Sequence, residues 1–500
     1  MDRVKIGWGR REVSIDEPVS IPGQMYMRIS EGIHDPLYVT ALCVQGAETV
    51  IFCSCDIVVL RGGVINATKE KVAAMRPELP VDSIVMGATH THSAAAIGAT
   101  PEKSPDGREI YPGLQYREFF IQMCAEAICE AWDNRCEGGM TYGYGYAVVA
   151  HSRRTCYDVD MSTIIENKFA PNGHAIMYGN TDQEHFSHYE AGADHFVNLM
   201  YTFDRDSKLT GIVVNVPCPS QLSERFEKLS ADYWNEVRQE VAKEFGEHVF
   251  VLPQCAAAGD LSPRVMHYKE AQARRMGLKH DLPYEVELAT GMSDHEYNKV
   301  MGERKDIAER IVSAIREVYS WASKDIQTHI PVCFEKLELD LSRRMISDEE
   351  KAGCEKILAE IAEKVIDPEK YTPEKYSRLV SRQNSLRNRQ NGALERYATQ
   401  NEEPYIHTRA CVARIGDIAF ATTRFELYMD FMHRVQARSP FIQTFVVQLA
   451  GDENGRYLPT QRGKEDKGYS ASIFCNSVGP EGGQEWVESV LESLNKMAEN

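Results

Sequence analysis

The pattern of apolar and polar positions predicts an α/β fold in which strands and helices alternate along most of the chain. Apolar or alternating runs predict strands at 49–60, 82–88, 141–150, 196–203, 211–216, 249–252, 332–341, 411–423 and 445–449. Apolar positions spaced by three and four residues predict helices at 64–75, 116–132, 295–323, 425–438 and 485–497, with another ending at 245 behind a cap at 230–232. We therefore expect mixed β-sheets in layers that are covered by helices.

Two stretches depart from this alternation. Residues 156–195 are irregular and rich in Gly, Asn, Asp and His, and so long a connection is typical of a functional lid or binding loop. Residues 346–400 are polar, charged and helical, which predicts a helical insertion on the surface. Because no internal repeat is visible, the sequence predicts a single domain over residues 1–500.

Composition and charge limit the kinds of partner that the chain is expected to bind. The formal charge of −18 argues against nucleic acid and anionic membrane surfaces as partners. No apolar run is long enough to cross a bilayer, and no signal-peptide pattern is visible. Most of the 13 cysteines lie in apolar runs, which is typical of reduced thiols. We expect a cytoplasmic protein that binds a small-molecule substrate without stable membrane association, with homo-oligomer formation left open.

Residues 84–93 contain the most suggestive motif, in which His90 and His92 follow an apolar run. Alternate residues of a strand point to the same side, so both imidazoles would project together. Such a pair can bind a metal, or one ring can bind it while the other contacts the substrate. The alternative is two solvated histidines at a strand end, and the spacing alone does not decide between these interpretations.

Three further positions could carry chemistry. Arg153 and Arg154 end a predicted strand, where they are solvated or clamp a carboxylate or a developing oxyanion. Ser262 is presented by a tight loop bounded by Gly and Pro. Cys218 lies between two prolines that fix the backbone where another strand ends.

Several stretches together resemble the catalytic domain of neutral (non-lysosomal) ceramidases. They are Gly32–Tyr38, Gly87–Ser93, Gly259–Pro263, Phe425–Leu427 and Tyr457–Thr460, with Tyr469 at a similar interval. Their order and approximate spacing agree with that family across most of the chain. The resemblance implies a ceramidase-like catalytic domain, here without the family's C-terminal β-sandwich.

The family holds one zinc ion through two histidines, a glutamate and a tyrosine. The resemblance assigns His90, Glu426 and Tyr457 to three of these roles, with Glu426 in the first turn of the predicted helix 425–438. Cys218 stands where the family has its second histidine. A thiolate is a good zinc ligand, so the resemblance implies one Zn²⁺ held by His90, Cys218, Glu426 and Tyr457. The alternative is that Cys218 binds no metal.

The resemblance also implies a mechanism. Zinc lowers the pKa of its bound water to about 7 and so supplies hydroxide, which would attack an amide or ester carbonyl. His92, Arg153 and Tyr469 would stabilise the oxyanion, although Arg154 could equally fill the place of Arg153. Ser262 is either a nucleophile or a hydrogen-bond partner of the substrate. Since no base for Ser262 is identifiable, the metal-activated route is favoured.

These features predict a metal-dependent hydrolase of carbon–nitrogen bonds other than peptide bonds. A small polar substrate is favoured over long-chain ceramide, because the accessory domain and signal peptide are absent and the turn after His92 differs. Three alternatives remain open: a zinc-dependent lyase or glycoside-cleaving enzyme, a thiol enzyme that uses Cys218, and a non-catalytic binding protein on the same scaffold.

Overall fold

The computed structural model describes residues 3–280, 294–453 and 455–499. The strands are β1 Lys5–Glu12, β2 Ser20–Ile21, β3 Arg28–Ile29, β4 Tyr38–Gln45, β5 Thr49–Cys55, β6 Ile84–Ala88, β7 Cys136–Glu137, β8 Gly139–Tyr146, β9 His151–Ser152, β10 Arg154–Tyr157, β11 Ala175–Met177, β12 Phe186–Tyr189, β13 Phe196–Phe203, β14 Leu209–Val216, β15 Phe250–Cys255, β16 Leu261–Ser262, β17 Val332–Ser342, β18 Tyr405–Ile415, β19 Ile418–Thr423, β20 Glu426–Leu427, β21 Gln443–Gln448 and β22 Tyr457–Leu458. The helices are α1 Val64–Met75, α2 Gly113–Asp133, α3 Tyr233–Phe245, α4 Lys269–Lys279, α5 Asp294–Ala322, α6 Asp348–Glu363, α7 Pro373–Thr399, α8 Met429–Arg438, α9 Gln461–Asp466 and α10 Pro480–Glu499.

Three larger sheets form the centre of the fold, with strand orders β6-β5-β4-β1-β7, β15-β14-β13-β8 and β17-β18-β19-β21. Each sheet is mixed, because one pair in each (β5 with β6, β14 with β15, β19 with β21) is parallel and its other pairs are antiparallel. The parallel pairs matter for function, because the carboxyl ends of parallel strands meet at one edge and can present side chains together.

Aromatic side chains join the three sheets in one apolar cluster. Trp8 stacks on Phe250 with ring centroids 5.4 Å apart, which links the first sheet to the second. Phe420 lies 4.8 Å from Phe52 and 4.5 Å from Phe445, which brings in the third. Helices pack on these sheets: α2 on β1 and β4, α5 on β8, and α10 on β17. The predicted α/β class with mixed sheets and packed helices is confirmed.

Two sequence predictions of local structure are wrong in detail. The stretch 411–423 is two strands, β18 and β19, because Gly416 turns the chain at φ +64°. The stretch 156–195 is not wholly irregular, since β10, β11 and β12 form a three-stranded sheet there. These short strands lack the apolar runs from which strands are read.

The predicted helix 425–438 is also shorter than expected. Glu426 and Leu427 form β20, and α8 begins only at Met429. Glu426 is therefore not in the first turn of a helix. Parallel pairing of β20 with β22 holds the segment extended and overrides its helical spacing.

The stretch 346–400 is helical as predicted and forms α6 and α7 between β17 and β18. Its status as an insertion on a single domain stays a prediction. Among the described residues, no helix is both long enough and apolar enough to span a bilayer.

Candidate active site

His90 lies just beyond the carboxyl end of β6, in a left-handed conformation at φ +63°. Its Nδ1 donates to the carbonyl oxygen of Val58 at 2.7 Å. Since that carbonyl only accepts, Nδ1 carries a hydrogen, and Nε2 is the ring atom that faces the site. This atom lies 3.3 Å from Glu426 Oε2 and 3.4 Å from His92 Nε2. The two predicted histidines do meet, through this turn rather than along a strand.

Glu426 and Tyr457 are brought together by backbone pairing, because they are register partners in the parallel pair β20–β22. The loop before β16 packs tightly against them, with Gly259 N donating to the carbonyl of Leu427 at 2.8 Å. A Cβ at Gly259 would overlap the Glu426 carbonyl group. The Gly259–Pro263 motif therefore needs its glycine so that this loop can approach β20.

Arg153 is buried beside this pair at 1% exposure. Its Nη2 donates to the Gly259 carbonyl at 3.0 Å and to the Tyr457 hydroxyl at 3.4 Å, and lies 3.8 Å from Glu426 Oε2. Burial by itself raises the pKa of Glu426, but His90 and Arg153 lower it to about 2. Glu426 is therefore an ionised carboxylate surrounded by hydrogen-bond donors.

The choice between Arg153 and its neighbour is decided by their contacts. Arg154 donates from Nε and Nη2 to the two carboxylate oxygens of Glu190, at 2.8 and 2.6 Å. This bidentate ion pair is fully buried and holds the Arg154 guanidinium. Arg153, not Arg154, contacts the Glu426–Tyr457 pair.

Ser262 is buried behind the same cluster. Its hydroxyl accepts from Gln221 Nε2 at 3.4 Å and from the backbone N–H of Arg264 at 3.2 Å. Neither partner is a base, so these contacts fit a hydrogen-bonding role better than an activated nucleophile. Gln221 also donates to the Tyr178 hydroxyl, which in turn accepts from Arg153 Nη1 at 3.1 Å.

Gln221 and Tyr178 were missed by the sequence analysis. Gln221 follows the proline-flanked Cys218, and no motif distinguishes it from an ordinary loop residue. Tyr178 lies in the stretch 156–195, which was predicted to be irregular, and its positive φ of +61° cannot be predicted from the sequence.

His92 is held from two sides. Its Nδ1 lies 3.2 Å from Glu224 Oε2, and Glu224 also pairs with Arg264 at 2.5 Å. The His92 carbonyl accepts from Arg28 at 2.5 Å. Burial lowers the pKa of His92 even though Glu224 raises it, which favours a neutral imidazole. Glu224 and Arg28 support the ring, and no motif pointed to either.

Cys218 is fully buried, and its thiol lies 3.3 Å from the carbonyl oxygen of Val149. Burial, and next Cys255, raise the pKa of this thiol well above its ordinary value. In the described residues, two sets of three His, Cys, Asp or Glu ligand atoms lie within 4.8 Å of one another, and neither contains Cys218, His90 or Glu426. The ligand assignment of Cys218 stays a prediction, and its contacts favour a packed thiol instead.

Replacing Cys218 with serine tests the two roles. If the thiol is packed, Cys218→Ser should keep the metal content of the wild type and lower the free energy of unfolding by roughly 1 kcal/mol, because a buried hydroxyl replaces a less polar group. Metal analysis of the purified variant and urea unfolding measure both quantities. Loss of most of the bound metal from a folded variant would restore Cys218 as a ligand.

A deep cleft of about 1240 Å³ opens over the cluster. Glu426, Tyr457 and Tyr469 line it, whereas His90, Arg153 and Ser262 are buried. The Tyr469 ring meets the Tyr457 ring edge to face, with centroids 6.0 Å apart. Helix α7 forms another wall through residues such as Asn388 and Arg396, a role that the sequence did not predict for it.

His90 lies at ligand-to-ligand distance from two other donors, although in the described residues His90, His92 and Glu426 do not form a set whose ligand atoms all lie within 4.8 Å of one another. His90 Nε2 faces Glu426 Oε2 and His92 Nε2 at 3.3 and 3.4 Å. Donors bound to tetrahedral zinc at about 2.0–2.1 Å are themselves roughly 3.3–3.4 Å apart. The lone pair of His90 Nε2 and the Glu426 carboxylate would repel each other without a cation or proton between them. The bond from His90 Nδ1 to a carbonyl is also typical of metal-binding histidines.

The two groups of three ligand atoms that do lie within 4.8 Å of one another in the described residues are Cys53, Cys55 and Cys124, and Cys156, Glu190 and Asp466. In the second group, Glu190 is already bound by Arg154. Neither group lines the cleft.

Comparisons place this architecture among known folds. No family model matches the chain, and no curated protein matches it by sequence. A neutral ceramidase from Pseudomonas aeruginosa matches 100% of this chain and 75% of its own, at 14% identity and a TM-score of 0.66. A ceramidase complexed with C2 matches 100% of this chain and 76% of its own, at 13% identity and a TM-score of 0.63. At such identities the likeness is one of fold, and the chain has a neutral ceramidase-like fold.

Proposed function

We propose that the chain is a metal-dependent hydrolase that cleaves an amide bond, or an ester bond, of a small polar substrate. The observation that supports this best is the meeting of His90 Nε2, Glu426 Oε2 and Tyr457 at the base of a large cleft. Both structural neighbours are ceramidases, which supports the hydrolysis of a carbon–nitrogen bond. A binding protein without catalysis would have no need to bury these groups together at a cost in stability.

In this proposal His90, Glu426 and Tyr457 hold one zinc ion per chain, and His92 or Cys218 supplies a further donor. Zinc would activate water for attack on the carbonyl carbon. Tyr469, which lines the cleft, would donate to the carbonyl oxygen, and such a donor is worth roughly 3–4 kcal/mol. Arg153 and His92 lie behind the lining residues and would act on the developing negative charge from there. Ser262 would stay a hydrogen-bond partner within the site.

The cleft also supports a polar substrate. Its volume of about 1240 Å³ exceeds that of most small-molecule pockets, which are roughly 300–1,000 Å³. Apolar side chains such as Met25, Met27 and Phe474 line it, together with arginines and the polar side chains of Ser381, Asn384 and Asn388. A long acyl chain would leave these polar groups desolvated without partners, which costs free energy. Long-chain ceramide should therefore be a poor substrate.

Metal analysis combined with a turnover screen tests the proposal. We expect purified protein to contain close to one zinc per chain, and removal of the metal by a chelator to abolish the release of amine from short-chain N-acyl amino sugars. Re-addition of zinc should restore the rate. Efficient hydrolysis of long-chain ceramide in detergent would contradict the substrate class.

The same screen separates the alternatives. Cleavage of a glycosidic bond by the zinc-loaded protein, with every amide and ester intact, would replace the proposed reaction. A protein that binds no zinc and turns over none of these substrates would overturn the proposal in favour of a binding protein.

A further inference from the structure

The cleft over Glu426 is lined by six cationic side chains, although the whole chain carries a formal charge of −18. They are Arg61, Lys103, Arg389, Arg396, Arg424 and Arg456. Two carboxylates, Glu426 and Glu453, line the same cleft. Glu426 already contacts His90 and Arg153, and Glu453 accepts from the backbone N–H of Gly63. Positive charge therefore dominates the wall of the cleft.

Two of the six cationic side chains lie beside carboxylates. Lys103 pairs with Glu109 at 2.5 Å, and Arg424 lies 3.7 Å from Asp452 Oδ2. Arg389, Arg396 and Arg456 are different, because within the described residues none of the three forms an ion pair.

The contacts of these three arginines are neutral. Arg396 donates to the carbonyls of Gly392 at 3.2 Å, of Asn476 at 2.7 Å and of Ile473, and Arg456 donates to the carbonyl of Phe474 at 3.4 Å. Arg389 lies over the Tyr469 ring, 5.1 Å from its centroid, and donates to the Cys475 thiol at 3.1 Å. None of these contacts compensates the charge of the three guanidinium groups, and Arg456 is exposed.

Grouping these charges costs free energy. Burial lowers the pKa of Arg396 to about 10, and Arg456 and Arg343 lower it further by repulsion. Arg456 also has a strained backbone at φ +81°, which is uncommon for a residue other than glycine. Folded proteins retain unfavourable charge and backbone strain mainly at functional sites, such as ligand-binding sites. Guanidinium groups suit phosphate and sulfate, because the planar fork donates two parallel hydrogen bonds.

We propose that Arg389, Arg396 and Arg456 bind a tetrahedral oxyanion, a phosphate or sulfate group, carried by a soluble small molecule. The three side chains come from two separate segments, α7 and the turn before β22, so they can approach one anion from different directions. A planar carboxylate could use fewer of these donors. The bound molecule is the substrate, and its amide or ester bond reaches the Glu426 cluster. This second part of the inference rests on the proposed function.

Anion binding is tested without turnover. Calorimetric titration of the wild type with inorganic sulfate and with inorganic phosphate, at constant ionic strength, should show saturable binding. Arg396→Gln and Arg456→Gln should each weaken it at least about tenfold, because each loses a charged donor pair. Arg205→Gln is the matched control, since Arg205 is 76% exposed and lies far along the chain from the cleft. Unchanged affinity in a folded Arg396→Gln/Arg456→Gln double variant would overturn the inference.

A lipid headgroup would present the same chemistry, so a second arm uses vesicles that contain phosphatidylserine. The wild type should remain in the supernatant on sedimentation. Pelleting that depends on Arg396 and Arg456 would contradict the assignment to a soluble molecule.

A matched pair of substrates links the anion site to catalysis. A sulfated short-chain N-acyl amino sugar should have a kcat/KM at least about tenfold above that of its unsulfated parent, and this preference should vanish in Arg456→Gln. Equal cleavage of both sugars without sulfate binding would leave the proposed function standing and overturn the anion site. Saturable sulfate binding with no amide or ester cleaved would overturn the proposed function, and the anion site would stand as a binding site only.

Discussion

Replacing Glu426 with glutamine is expected to lower kcat/KM at least about 10³-fold, equivalent to roughly 4 kcal/mol of transition-state stabilisation. Glutamine keeps the shape of the side chain and removes its charge. Glu426 Oε2 lies 3.3 Å from His90 Nε2, and the pKa of Glu426 is held at about 2, so the wild-type group is a carboxylate at every working pH. A neutral amide is a much weaker zinc ligand and leaves the buried Arg153 guanidinium without its nearest carboxylate.

The measurements are bound zinc by elemental analysis and kcat/KM on the best amide substrate from the screen. Glu244→Gln is the matched control, because Glu244 pairs with Arg316 on the surface and should change neither quantity. Circular dichroism establishes that both variants fold. A folded Glu426→Gln that keeps one zinc per chain and full activity would remove Glu426 from the metal site.

The broad fold could be predicted because hydrophobic patterning reports it directly. Helix α1 was predicted over its full range, 64–75, from apolar spacing alone. Strands β13 and β14 were predicted at 196–203 and 211–216, since both are apolar runs, and they pair in the structure as neighbours along the chain. In each case the signal lies within the element itself or in its neighbour along the chain.

The local errors share a cause. Glu426 was expected in a helix because the residues after it have helical spacing, yet its backbone pairs with Tyr457, 31 positions further along the chain. The spacing of apolar residues around Glu426 carries no information about a pairing partner so far along the chain. The resemblance assigns both residues to one site, and the structure makes them register partners, but the resemblance does not indicate which backbone geometry brings them together.

The positively charged cleft could not be predicted from the sequence for a related reason. Arg396 belongs to the stretch 346–400, which was predicted as a surface helical insertion, and Arg456 lies between the predicted strand 445–449 and the motif Tyr457–Thr460. A single arginine in either context is most often solvated. Only the packing of α7 against the turn before β22 makes them neighbours, so their collective charge is a tertiary property. The same holds for Gln221 and Tyr178 around Arg153.

The Gly32–Tyr38 motif gains a structural explanation. Asp35 accepts from the Ser230 hydroxyl and the Ala231 N–H, both at 2.7 Å. The backbone of Ser230 in turn bonds to the site, donating to the Ser93 carbonyl at 2.8 Å and accepting from the Thr91 hydroxyl at 2.7 Å. The motif therefore positions the turn that carries His90 and His92, and it does so from outside the cleft.

Arg304 on α5 completes this arrangement, and Arg304→Met is expected to lower the free energy of unfolding by about 3–5 kcal/mol. The wild-type guanidinium is fully buried between Asp35, at 2.8 Å, and Glu236, at 2.9 Å. Methionine fills much of the volume and leaves two buried carboxylates without their cation. Arg316→Met is the control on the same helix, because that arginine pairs with Glu244 on the surface and should cost less than about 1 kcal/mol.

The pH dependence of the Arg304→Met variant identifies the mechanism. Burial raises the pKa of Glu236 even in the wild type, and Arg304 opposes this rise. Arg304 also helps to lower the pKa of Asp35 to about 2, against the effect of burial. Without Arg304 both folded-state values should rise above those of the unfolded chain, so the folded variant binds more protons and loses stability as pH rises. Urea unfolding at pH 5 and pH 8 should therefore show the larger deficit at pH 8. An equal deficit at both pH values would point to lost packing instead.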